Sequence, residues 1–195
     1  KEDILKEVKE LKEQGYKEIT LLGQNVNAYG NDLENDLDFA GLLEAVAKIG
    51  IERIRFVTSH PWNFTDEMIN TIAKYDNIMP YIHLPLQSGS DSILRLMGRR
   101  YTKSEYLELF NKIKSTIPNA AVTTDIIVGF PNETDEDFED TLSVVEECKY
   151  DGAFTFIYSP REGTPAAKME DSIPMEVKEE RLQRLNELIN KYSKE

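Results

Sequence analysis

Five segments of this 195-residue chain end in residues that hydrogen-bond well and do little other chemistry. They are Gly23-Gln24-Asn25, Thr58-Ser59-His60-Pro61, Gln87-Ser88-Gly89-Ser90, Gly129-Phe130-Pro131 and Tyr158-Ser159-Pro160-Arg161. Amides, hydroxyls, glycines and one arginine suit a small polar ligand that carries a carboxylate, a ribose and a base. Gly89 and Gly129 let backbone come close to such a ligand. Taken singly, each cluster is an ordinary turn; their recurrence after five apolar runs is what points to a site. His60, ahead of a proline, is the better placed of the two histidines to act as ligand or base, whereas His83, inside an apolar run, reads as an interior residue. Asp125 interrupts the apolar run AAVTTDIIVGF, and strand alternation turns it toward a ligand or a backbone partner.

Other chemistries fit poorly. One cysteine, Cys148, and two separated histidines cannot make a Cys/His zinc site of the usual spacing, and Cys148 reads as a small packed hydrophobe. No catalytic residue and no metal ligand is assigned. Glu133, Asp135, Glu136 and Asp137 look like the acidic start of a helix and its cap. A Schiff-base aldolase would need a lysine at a strand end, and none of the five clusters has one. The net charge of −13 argues against a chain that grips RNA by itself, because such grip rests on Lys and Arg. The one local basic group is Arg95, Arg99, Arg100 and Lys103. No apolar run approaches the roughly 18 residues of a membrane span. The start KEDILKEVKE does not resemble a signal peptide, so a cytoplasmic location and no membrane partner are expected.

The elements that must position these clusters alternate between strand and helix. Ile4, Leu5, Val8 and Leu11 mark a helix, followed by strand YKEITLLG. The stripe Phe39, Leu42, Leu43, Val46, Ile49 is a second helix, followed by strand RIRFVTS. Thr65 opens a third helix before strand YIHLPL; a short helix from Ser90 and a longer one from Thr102 precede strand AAVTTDIIVGF. Thr134 caps a helix running to Cys148, strand AFTFIYS follows, and a last helix begins near Pro174. Helical crossovers imply parallel strands. With five evenly spaced strands and no GxGxxG or GxxxxGK[ST] phosphate loop, the expected fold is an α/β open or partial barrel with its chemistry at the strand C-termini. The chain begins on a helix, so a first βα unit is expected to lie upstream.

The strings ITLLGQNVNAYG, FVTSHPWNFTDEMI, HLPLQSGSDSILRLMGRRYT, TTDIIVGFPNETDEDFEDT and FIYSPREGTPAA resemble, in order, the central domain of radical S-adenosylmethionine methylthiotransferases. GQNVNAYG and TSHP resemble the branch that adds a methylthio group to C2 of N6-isopentenyladenosine in tRNA. The resemblance implies a partial (β/α)6 barrel that holds S-adenosylmethionine on a [4Fe–4S] cluster, whose reduction yields a radical that abstracts hydrogen from adenine C2. A second cluster in an upstream domain is implicated in sulfur delivery, from a donor the sequence does not identify, and a small C-terminal β domain grips the tRNA. By position, the resemblance implies cofactor-side roles for Gln24, Asn25, Ser59, Gln87, Ser88, Asp125, Val128, Gly129 and Phe130, and substrate-side roles for His60, Tyr158 and Arg161.

Departures from the family pattern shape the expectation. The CxxxCxxC cluster motif is absent and Cys148 cannot replace it. Asn132 stands where glycine is common, and Glu162 where proline is. Residues 1–195 are therefore expected to form a single radical-SAM core domain without its first strand and cluster loop, with five parallel strands. Both flanking domains are expected to lie outside it, so that alone it is inactive and binds tRNA weakly or not at all. The alternative is a non-catalytic ligand-binding or scaffold module on the same fold.

Overall fold

The computed structural model describes residues 2–23, 39–58, 65–160, 169, 171 and 173–193. These divide into two compact units, Lys1–His83 with Asn111–Ala121, and Leu84–Phe110 with Val122–Glu195.

In the first unit the chain runs α1 (Glu2–Glu13), β1 (Glu18–Gly23), α2 (Phe39–Ile49), β2 (Arg53–Thr58), α3 (Asp66–Lys74) and β3 (Tyr81–His83). β1 and β2 pair in parallel from Glu18↔Arg53 to Gly23↔Thr58. Leu42, Leu43, Val46, Ile54, Met68 and Ile69 are buried together, as the apolar stripes of α2 and α3 require. Thr65 caps α3 through its side-chain oxygen, which accepts from the Met68 amide at 3.2 Å. Asn77 Nδ2 donates to the Ala47 and Ile51 carbonyls, both at 3.0 Å, and so satisfies acceptors at and just beyond the end of α2.

The second unit contains α4 (Asp91–Leu96), most of β4 (Ala121–Val128), α6 (Asp135–Cys148), β5 (Gly152–Ile157) and α7 (Met175–Ser193); α5 spans Lys103–Thr116. β4 and β5 are parallel, from Thr123↔Gly152 to Val128↔Ile157. Along β4, Val122, Thr124, Ile126 and Val128 are buried, while Thr123, Asp125 and Ile127 on the other face are half-exposed. On β5 that second face carries Phe154 and Phe156, 62% and 52% exposed, in register with Asp125 and Ile127. α7 packs on β5, and Thr155 Oγ1 donates to its Asn186 Oδ1 at 2.7 Å. One face of the β4–β5 pair is thus covered and the other is open.

The run YIHLPL is not one continuous strand. β3 stops at His83, and Pro85 has no amide to offer. The flanking groups still bond to β4: Leu84 N–H to the Thr123 carbonyl, Gln87 N–H to that of Asp125, and Ile127 N–H to that of Gln87. The Leu86 amide instead donates to the Thr124 hydroxyl at 2.9 Å.

Thr134 caps α6 in a reciprocal box. Its Oγ1 accepts from Asp137 N–H at 3.1 Å, and Asp137 Oδ2 accepts from Thr134 N–H at 2.9 Å. Asp137 Oδ1 also accepts from Ser90 and Ser92. Burial raises the Asp137 pKa, but these bonds outweigh it, and its carboxyl titrates below the ordinary value of 3.8. A depressed folded-state pKa adds stability above the unfolded value that is lost as pH falls through the folded one. Asp137→Asn is therefore expected to cost about 1 kcal/mol near neutrality and to flatten the stability loss below about pH 4. Urea unfolding at both pH values reads this directly.

Candidate functional site

Leu84–Leu86 is held by phenols as well as by β4. Tyr106 Oη donates to the Leu84 carbonyl at 2.7 Å, and Tyr101 Oη to the Leu86 carbonyl at 2.8 Å. Tyr106 and Tyr150 hydroxyls meet at 2.8 Å. Burial pushes all three phenols above their ordinary pKa, so they stay protonated donors. Tyr106→Phe leaves the Leu84 carbonyl without this donor and the Tyr150 hydroxyl without this partner. We expect a loss of about 1–3 kcal/mol, read as a lower urea midpoint at unchanged slope.

At Gln87 the backbone turns through a positive φ of 69°, and its side chain is half-buried beside β4. Ser88 faces the interior. It is 0% exposed, its Oγ accepts from Ser90 N–H at 3.2 Å, and Thr141 Oγ1 lies 3.5 Å away. Gly89 donates to Thr141 Oγ1 at 2.9 Å, and its Cα lies against the α6 backbone. A Cβ there would sit 2.6 Å from both the Asp140 carbonyl oxygen and the Thr141 Cα. This is a close approach that only glycine permits.

Asp125 is on the open face of β4, and Val128 is on the covered face, where its carbonyl accepts from Tyr158 N–H at 2.8 Å. Gly129 follows with φ of 73°, the left-handed region that glycine enters without penalty. Phe130 is buried, its ring edge-on to that of Tyr158 with centroids 5.0 Å apart. By alternation Tyr158 continues the Phe154–Phe156 row, and its buried hydroxyl has no hydrogen-bond partner among the described residues. The structure thus brings Gln87, Gly129, Phe130 and Tyr158 toward the C-terminal end of the β4–β5 pair, with Asp125 midway along β4. Gln24, Asn25, Ser59, His60 and Arg161 lie outside the described residues.

The sequence groups Glu133 with the acids of a helix start and its cap; in the structure it is 3% exposed and inward-facing. Its Oε1 accepts from Gly129 N–H at 2.9 Å and from Arg181 Nη1 at 2.9 Å. Burial raises its pKa above the ordinary glutamate value, opposed by the Gly129 amide and Arg181. Nothing local signals the contact, because Arg181 is 48 residues away on a helix whose spacing marks only its apolar stripe.

Exposed aromatic surface, an accepting carboxylate, and a buried hydroxyl without a partner among the described residues fit a nucleoside-bearing ligand such as S-adenosylmethionine. A [4Fe–4S] cluster is not matched. The chain has one cysteine, which is buried, and no group of three or more His, Cys, Asp or Glu among the described residues is placed to hold a metal ion. No described helix is long and apolar enough to cross a membrane.

Parallel strands alternating with helices define an α/β core. The chain belongs to the Radical SAM superfamily, whose sequence profile matches residues 1–145. It is similar in fold to coproporphyrinogen III oxidase from Escherichia coli, with a TM-score of 0.60 and 19% identity over 78% of this chain and 37% of that one. Methylornithine synthase gives a TM-score of 0.61 at 16% identity, over 95% of this chain and 52% of that one. In sequence, a relative from Bacillus cytotoxicus, tRNA-2-methylthio-N(6)-dimethylallyladenosine synthase, is 63% identical over 194 residues. The match takes in 98% of this chain but 38% of that relative's length.

Proposed function

We propose that this chain is the central, cofactor-seating domain of an enzyme that adds a methylthio group to C2 of N6-isopentenyladenosine in tRNA. The observation that carries the reading is its 63% identity, along nearly its whole length, to a synthase of that name. On this reading the five strands belong to a partial barrel, and S-adenosylmethionine is seated at the strand ends. When bound, that cofactor supplies radical chemistry.

The chain's own residues bind and orient. Gly129 and Phe130 present backbone and an apolar edge to the adenine, Asp125 accepts from ribose hydroxyls, and Gln87 offers an amide. Ser88, fully interior, acts by shaping the turn rather than by touching the ligand. Tyr158, whose hydroxyl has no hydrogen-bond partner among the described residues, faces the substrate side. The resemblance also gives cofactor-side roles to Gln24, Asn25 and Ser59, and substrate-side roles to His60 and Arg161. The cluster ligands and the main RNA contacts belong to other segments of the enzyme, which acts in the cytoplasm. Exposed Arg95 and Arg100 add a local cationic contact for RNA phosphate on an otherwise acidic chain.

A domain exchange tests this. Residues 1–195 replace the matching segment of the Bacillus cytotoxicus relative, in a strain whose tRNA lacks the methylthio group. The reading predicts that 2-methylthio-N6-isopentenyladenosine returns, as seen by mass spectrometry of tRNA digests. A soluble, cluster-loaded chimera that leaves the tRNA unmodified would overturn it.

A further inference from the structure

The turn assigned to the adenine is fastened from behind by the last helix. Arg181, 6% exposed, directs Nη1 at both the Glu133 carbonyl at 3.1 Å and Glu133 Oε1 at 2.9 Å, and Nη2 at Asp135 Oδ1 at 3.0 Å. Glu133 Oε1 in turn accepts from Gly129 N–H. One turn earlier on α7, Lys178 lies across Gly129: a Cβ there would come within 2.5 Å of Lys178 Cγ. Lys178 Nζ pairs with Asp171 at 2.5 Å and sits 5.8 Å from the Tyr158 ring. Glu133 Oε2 and Arg181 Nε are buried without hydrogen-bond partners among the described residues, so this pair is not optimised as a stabilising network. A buried ion pair is weak evidence of stability, and specifying one conformation is the use that fits here.

We propose that Arg181 is a positioning residue for the ligand turn: through Glu133 it fixes the Gly129 amide and hence the path of Gly129–Pro131, and it does so by the geometry of its guanidinium rather than by charge. The proposal deepens the cofactor-seating reading and rests on it for the identity of the ligand. A lysine at this position keeps the charge but cannot make three directed bonds in one plane.

The test is Arg181→Lys in the full chain, followed by amide hydrogen exchange and by titration with S-adenosylhomocysteine. Positioning predicts exchange at Gly129 faster by about tenfold, while Ile127, bonded to Gln87, is unchanged. It also predicts an S-adenosylhomocysteine Kd weaker by about fivefold or more, at a melting temperature close to that of the parent. A purely charge-based or structural role predicts parental exchange at Gly129, and that result overturns the proposal. If the parent chain shows no binding of S-adenosylhomocysteine, the cofactor reading fails, and the exchange at Gly129 still decides the role of Arg181. Should Arg181→Lys not fold, Glu133→Gln, which keeps the shape and removes the charge, is expected to leave Gly129 protected, because its amide oxygen still accepts. Loss of that protection would mean that charge holds the turn, and would overturn the proposal.

Discussion

Gly89→Ala is expected to lower stability by about 3 kcal/mol and to abolish detectable S-adenosylhomocysteine binding. The reason is steric. The added Cβ meets the Asp140 carbonyl oxygen and the Thr141 Cα, both at 2.6 Å, and both are backbone atoms of a capped helix. A flexible side chain could swing away; a helix backbone has to move as a body. Moving it breaks the Gly89 to Thr141 hydrogen bond and pulls Ser90 from Asp137. Gly129→Ala makes the instructive contrast. There the added Cβ meets the stem of Lys178, which can shift, and the cost comes instead from a φ of 73°. Denaturant midpoints of the two variants, with ligand titrations alongside, separate a steric wedge from backbone strain. A Gly89→Ala protein as stable as its parent would mean that α6 is not seated against this turn at Asp140–Thr141.

Arg181→Met is expected to cost about 3–5 kcal/mol, because it strands the Glu133 carboxylate in the interior. Pairing it with Glu133→Leu should restore part of that loss. Replacing both charges with apolar groups removes the stranded ion, which leaves mainly the Gly129 amide without its acceptor, at about 1–3 kcal/mol. The double variant should therefore be more stable than Arg181→Met alone, a sign that simple additivity forbids. The Asp135 arm of the network is nearly fully exposed and should add little. Urea unfolding of the two single variants and the double variant measures the coupling. A double variant as unstable as the sum of the singles would show that the two residues do not act as a pair.

Much of this fold is legible from residue types alone. Thr134 ahead of an acidic first turn announces a helix cap, and the structure has it, closed reciprocally by Asp137. The alternation of Val122, Thr124, Ile126 and Val128 marks one buried face of β4, which puts Asp125 on the other. The apolar run YIHLPL predicts a longer strand than Tyr81–His83, because hydrophobicity does not register that Pro85 lacks a donor or that a hydroxyl captures the Leu86 amide. Ser88 shows a different limit. A serine after a strand offers the same hydroxyl whether it faces a ligand or the interior, and only the packing of Thr141 against it decides. Glu133 shows the hardest limit. Its partner lies 48 residues away, and an acid at the start of a helix has a sufficient local explanation that here is the wrong one.

The central claim is that the Gln87–Ser90 and Gly129–Phe130 turns seat the nucleoside. Amide hydrogen exchange of the chain with and without saturating S-adenosylhomocysteine tests it most directly. The account predicts slowed exchange at those two turns and around Tyr158, with the α2–α3 region unchanged. Binding that leaves both turns untouched, or protects α2 and α3 instead, would contradict it.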